Sequence, residues 1–172
     1  MAVLKIFTYP EPVLKRRAKK VTSFDQSVQR LIDDMIETMR DARGVGLAAP
    51  QVGIPLRLAV IEVPERDVIV LINPEIVKRD GQREIFEGCL SIPGYQGEVV
   101  RSVWVKVKAR NRQGREFRIK GEELLAHALE HEIDHLNGVL YIDRLESLDK
   151  LHKIVAEEAE GSAEEKAGNM IG

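Results

Sequence analysis

The chain is 172 residues long, 44% hydrophobic and 31% charged, with 26 Lys plus Arg against 28 Asp plus Glu and a formal charge of −2. That length fits one domain able to bury a core unaided, and the near-neutral balance argues against a general binder of nucleic acid or anionic membranes. The lone cysteine, Cys89, excludes an intrachain disulfide and a multi-cysteine zinc site, and no apolar run approaches the roughly 18 residues of a membrane span. The opening Met1-Ala2-Val3-Leu4-Lys5 lacks the basic and long apolar regions of a secretory signal. A soluble, cytoplasmic, monomeric protein is the expectation, with one domain over 1–172 and a small, polar, frayed tail at 161–172.

In chain order, an extended opening at 3–7 leads to a turn punctuated by Pro10 and Pro12. A basic run follows, Lys15, Arg16, Arg17, Lys19 and Lys20, which reads as a solvated face. Residues 25–42 read as a helix, because Val28, Leu31, Ile32, Met35, Ile36 and Met39 recur at spacings of three and four. Ser23 or Asp25 is placed to cap it, Ser23 with Gln26 fitting a capping box, and Gly44 is placed to stop it. Residues 57–63 and 68–73, rich in Val, Ile and Leu and separated by Pro64, have a hairpin pattern. Valines alternate through 103–108, 111–114 reads as a turn, and 116–120 as the returning strand. A second helix covers 122–137 and ends at Gly138; a third covers 148–160. The order implies an α+β fold: mostly antiparallel β-sheets packed around a central helix, with an N-terminal helix and a C-terminal helix.

The strongest chemical signal lies in the second of those helices, His131-Glu132-Ile133-Asp134-His135. Residues four apart project from one helix face, so both imidazoles can share one metal ion, with Glu132 beside it to move protons. Leu125, Leu129, Ile133 and Leu136 form a separate apolar stripe, so the histidines are not needed to fill the core. A catalytic metal of this kind usually has three protein ligands. His127 is a poor third, since it stands eight residues from His135, about 12 Å along the axis. The longer protease signature H-E-x-x-H-x-x-G-x-x-H matches at Gly138 but has Tyr141 where its last histidine belongs. A downstream glutamate such as Glu146, Glu157 or Glu158 would suit a zinc endopeptidase, and nothing singles these out from solvated helix charges. Cys89, in Glu87-Gly88-Cys89-Leu90-Ser91, remains open between a third ligand and a small buried hydrophobe. The segment from Gly44 to Gln51 formally fits G-x-G-x-x-A but follows a helix instead of a strand. A loop whose glycines admit a ligand close to the backbone is the better reading.

Taken together, Gly44-Val45-Gly46-Leu47-Ala48-Ala49-Pro50-Gln51, Glu87-Gly88-Cys89-Leu90-Ser91 and His131-Glu132-Ile133-Asp134-His135 resemble the G-x-G-x-A-A-x-Q, E-G-C-x-S and H-E-x-D-H of the peptide deformylase family, in the same order. The resemblance extends over about 3–150. It implies a metal-dependent hydrolase that removes the N-formyl group from the N-terminal methionine of nascent polypeptides and releases formate. It further implies one divalent metal ion, natively Fe²⁺ with Zn²⁺, Ni²⁺ or Co²⁺ as alternatives, held by Cys89, His131 and His135. Glu132 is implied as general base and then acid, the Leu90 backbone amide and Gln51 side chain as oxyanion donors, and Gly46 as a substrate-backbone contact. Val45 and His127 are expected to line the substrate site. Three departures stand out: Gln96 in place of an arginine common after the cysteine segment, His127 on the pocket-facing helix, and an acidic tail (Glu157, Glu158, Glu160, Glu164, Glu165) where some relatives dock on the ribosome through a basic helix. Transient ribosome contact is therefore an open expectation; no membrane and no sequence-specific nucleic acid partner is expected.

Overall fold

A helix begins where a side chain satisfies its exposed first-turn amides. In the structure, a computed structural model that describes residues 2–154 and 170–171, α1 spans Gln26–Asp41 and Asp25 accepts from the Val28 amide at 3.1 Å. The Ser23 hydroxyl donates to Asp25, so the box with Gln26 does not form. The stop differs as well. Arg43, at φ 58°, takes the left-handed position, and the Gly44 amide donates to Met39 O one residue later. Glycine at 44 answers to space, since a Cβ there would lie 2.8 Å from Leu90 Cδ1.

The chain continues through β1 (Gly46–Ala48), β2 (Leu58–Ile61), β3 (Ile69–Asp80), β4 (Arg83–Cys89), β5 (Ile92–Arg101), β6 (Trp104–Arg110), β7 (Glu116–Glu122), α2 (Glu123–Leu136), β8 (Leu151–Lys153) and β9 (Met170–Ile171). One sheet has the order β1-β2-β3-β6-β7, antiparallel throughout. The other has the order β8-β5-β4-β9, antiparallel apart from the β4–β9 pair. The expected hairpin is β2–β3, with Leu58 opposite Ile72. Strand β3 runs seven residues beyond the expected end at 73, past a register shift between Ile72 and Glu75 where Pro74 has no amide to donate. The β4–β5 hairpin was not anticipated, because Gly88, Pro93, Gly94 and Gly97 interrupt any alternating pattern.

Two expectations at the C-terminal end are corrected. The helix over 148–160 does not form in its described part: Leu148–Lys150 is one 3-10 turn, and β8 then pairs with Tyr95, Gln96 and Gly97 of β5. The backbone groups of that sheet edge outcompete local helix propensity, and His152 adds a 2.8 Å contact to Glu98. Residues 155–160 lie outside the described residues, as do 161–169 and 172. The frayed tail is likewise wrong for Met170 and Ile171, which pair in parallel with Gly88 and Cys89.

Strand alternation separates the two sides of the first sheet. Leu58, Val60 and Ile72 pack against Ile32, Met35 and Met39 of α1, whereas Ile61, Leu71, Val105 and Val107 pack against Leu125, Leu129 and Ile133 of α2. The second sheet closes over Cys89, Ile92, Val99, Leu140 and Tyr141. Every residue from Leu125 to Leu136 is buried, so α2 is central. It ends at Asn137, and Gly138 turns at φ 75° where a Cβ would meet the Lys15 carbonyl oxygen at 2.6 Å. The side chains of the basic run point outward, with Leu14 and Ala18 turned in around them. No helix among the described residues is long and apolar enough to cross a membrane.

Candidate metal centre and active site

Helix α2 presents His131 and His135 one turn apart, and the end of β4 brings Cys89 to them. The three ligand atoms lie within 4.8 Å of one another, all buried. Cys89 Sγ is 3.4 Å from His135 Nε2, which is 3.0 Å from His131 Nε2. Donor atoms around a tetrahedral cation, at metal–sulfur about 2.3 Å and metal–nitrogen about 2.0–2.1 Å, stand roughly 3.3–3.6 Å apart. A thiol and two imidazoles at this spacing fit one such ion. Burial pushes the Cys89 thiol well above its ordinary value, so the thiolate needs a cation beside it.

The orientation of His131 is fixed from behind. Its Nδ1 lies 2.9 Å from Glu87 Oε2. Burial alone would raise Glu87, but the charges of His131 and Arg101 and their hydrogen bonds outweigh it and hold the carboxyl at about 2. An ionised carboxylate only accepts, so Nδ1 donates to it, and a cation held by the cluster would take the Nε2 lone pair. Arg101 donates to Glu87 through Nε (2.9 Å) and Nη2 (2.6 Å), and to Asp134 through Nη1 (2.8 Å). Asp134 in turn accepts two bonds from Arg144 at 2.5 and 2.6 Å. Arg101, Glu87 and Asp134 thus tie β4, β5 and α2 together beneath the histidines. Residue-type patterns do not find this network: Glu87 and Asp134 sit inside the quoted segments, but Arg101 carries no local signal.

Glu132 is fully buried, and both carboxylate oxygens lack a hydrogen-bond partner among the described residues. Burial, and then the Glu87 charge, push its pKa well above the usual carboxylate range. Gly46 packs against it so closely that a Cβ would sit 2.5 Å from Glu132 Oε2. Gln51 is fully buried in the 3-10 turn after β1. Its Oε1 accepts from the Ala48 amide at 2.9 Å, while Nε2 donates to Ser91 Oγ at 3.0 Å and approaches Cys89 Sγ at 3.8 Å. The N-terminal segment braces this corner, Phe7 N donating to Gln51 O and Tyr9 N to Ser91 O. Because β1 follows a helix and leads into a single 3-10 turn, the glycine segment has no phosphate-binding geometry.

The other candidates fall outside the cluster. His127 is buried and its Nε2 has no partner among the described residues; burial, then the Arg83 charge, lower its pKa. Gln96 is on β5 opposite His152 of β8. Glu146 is exposed, and Glu157 and Glu158 lie outside the described residues.

An α+β frame around a buried Cys–His–His set with an adjacent carboxylate defines the H-E-x-x-H class of metal-site proteins. The polypeptide deformylase family profile matches residues 3–151. A peptide deformylase of Dehalococcoides mccartyi (strain CBDB1) is 59% identical over 155 residues, 90% of this chain and 93% of that one. Among solved structures, a peptide deformylase from Legionella pneumophila matches with TM-score 0.84 at 52% identity, over 87% of this chain and 89% of that chain. Peptide deformylase from Thermotoga maritima matches with TM-score 0.82 at 44% identity, over 86% and 100%. The chain belongs to the polypeptide deformylase family.

Proposed function

We propose that this chain hydrolyses the formyl group from N-formylmethionyl nascent peptides in the cytoplasm, with one divalent cation, natively Fe²⁺, held by Cys89, His131 and His135. The observation that carries this is the buried thiol-imidazole-imidazole cluster with, next to it, a buried carboxylate that has no hydrogen-bond partner among the described residues. When bound, the cation supplies Lewis acidity that brings the pKa of water from 15.7 to about 7. Glu132 takes a proton from the attacking water as the oxygen adds to the formyl carbon. Gln51 Nε2 and the Leu90 amide donate to the formyl oxygen as it gains charge, each worth about 3–4 kcal/mol in comparable oxyanion holes. Glu132 then passes its proton to the methionine nitrogen as the carbon–nitrogen bond breaks, and formate leaves.

Two edges suit an extended peptide. Strand β1, with Gly46, is the outer strand of the first sheet, and Val45 leads into it. The Gly88–Cys89 edge of β4 pairs with the short strand β9, so it is competent for strand addition, and a peptide would pair there by displacing β9. His127, buried one turn from His131, is assigned to the methionine side of the site.

The test is formate release from formyl-Met-Ala-Ser by anaerobically purified, Fe²⁺-loaded protein. One formate and one free amine per turnover are expected, lost on chelation and restored by Fe²⁺ or Ni²⁺. Cleavage of internal peptide bonds, or no formate from the loaded protein, overturns the reading. The same assay checks Gly46: Gly46→Ala displaces the Glu132 carboxylate, and about a 10²-fold loss of kcat is expected from such a misplacement, with bound metal per chain unchanged.

A further inference from the structure

One half of a sheet face has no cover among the described residues. Helix α1 packs on this side against β2 and the start of β3, and α2 occupies the opposite side. Arg110 stands opposite Ile72, an α1-side residue, so alternation turns Trp104, Lys106, Lys108 and Arg110 of β6 to the same side beyond the reach of α1. Across β3, β6 and β7, Lys78, Lys106 and Lys120 stand directly opposite one another, and Lys108 stands opposite Arg118 in the next row. The three lysines place Nζ 5.8, 6.0 and 4.8 Å from the centre of the Trp104 ring, which is partly exposed among them. Acids are interspersed with these cations: Glu116 is 3.5 Å from Lys108 Nζ and Glu122 is 3.5 Å from Lys120 Nζ, Asp80 and Glu122 stand opposite Trp104 on its two sides, and Glu75 stands opposite Lys108. Lys78, Lys106 and Arg118 make no ion pair among the described residues.

Like charges set directly opposite across a ladder cost sheet stability, and among the described residues the Trp104 ring and the Lys120–Glu122 contact offset only part of this row. A polyanion offsets the rest. Strands spaced about 4.8 Å apart carry the cations across the sheet as a continuous line, and an aromatic ring ringed by ammonium groups is a stacking platform for an unpaired base. We propose that this face is a docking surface for single-stranded RNA, with a base on Trp104 and phosphates on Lys78, Lys106 and Lys120. The choice of RNA over DNA rests on the function proposed above, because nascent peptides are made beside RNA. Binding is sequence-tolerant and local, since a net charge of −2 provides no long-range field. The face lies across the sheet from α2, so an occupant leaves the metal cluster's helix uncovered.

Trp104 is the chain's single tryptophan, so its fluorescence reports stacking without a label. Titration of the metal-loaded protein with a ten-nucleotide oligo(U) in low salt is expected to quench it, with a log K against log salt slope of about −2 for three phosphates. Trp104→Ala is expected to weaken binding of a labelled oligo(U) by roughly 5- to 150-fold, the worth of one stacked base. Lys106→Glu with Lys120→Glu is expected to abolish it, and neither change should alter formate release from a tripeptide. Absence of quenching at tens of micromolar oligonucleotide, binding that survives the double charge reversal, tighter binding of oligo(dT), or equal quenching by phosphatidylserine vesicles each overturns the assignment. Failure here leaves the formate assay untouched, and failure there leaves this binding intact.

Discussion

Glu132→Gln is expected to lower kcat for formate release by about 10²–10⁴-fold, the range for loss of a general acid-base, while the protein stays folded and keeps its metal. The substitution preserves shape, so Gly46 still packs against the side chain and the histidines on either side are undisturbed. What disappears is the capacity to accept and return a proton. The same change removes a buried carboxylate with no hydrogen-bond partner among the described residues, a group costly to desolvate. The thermal midpoint of the variant is therefore expected at or above that of wild type. Measuring kcat and the midpoint together separates the two effects: an inactive, destabilised variant points to a structural role, and an active one ends the proton-transfer proposal. A site that sacrifices stability for chemistry shows the opposite signs.

The histidine pair is readable because helical spacing is local: positions 131 and 135 share a face whatever surrounds them. Cys89 is different. Its partners are 42 and 46 residues away in sequence, and only the β4–β5 hairpin delivers it to α2. Its role is visible in the sequence through the accompanying segments and not through spacing. Gly46 shows the same division, since the glycine is visible but its cause, the Glu132 carboxylate 2.5 Å from a would-be Cβ, is tertiary. The described start of the expected C-terminal helix fails for a related reason. Leu148–Lys150 begins a helical pattern, but the open edge of β5 captures Leu151–Lys153. Net charge hides local charge, because −2 is an average over a chain that gathers Lys78, Lys106 and Lys120 into one row.

Arg101 is where this limit has the largest consequence for stability. Its guanidinium is 2% exposed and holds two carboxylates from different elements, Glu87 on β4 and Asp134 on α2. Burial lowers its pKa, but the charges of Glu87 and Asp134 raise it further, so it remains a cation. Arg101→Leu leaves Glu87, 0% exposed, without its guanidinium partner, and removing one partner of such a pair costs about 3–5 kcal/mol. For a chain of this size that is a fall of about 6–20 °C in the unfolding midpoint. Asp134 keeps Arg144, so the damage centres on Glu87 and the Nδ1 bond that orients His131. Metal affinity is expected to fall by about 10–100-fold, the usual effect of losing a group behind a ligand. Arg101→Lys should recover little, because one ammonium cannot reproduce three directed bonds to two carboxylates. Combining Arg101→Leu with Glu87→Gln removes the stranded charge, and the pair should destabilise by less than the sum of the single changes. Additive losses, or an Arg101→Leu protein with wild-type metal affinity and midpoint, would show that the network neither holds the sheets to α2 nor orients the ligand.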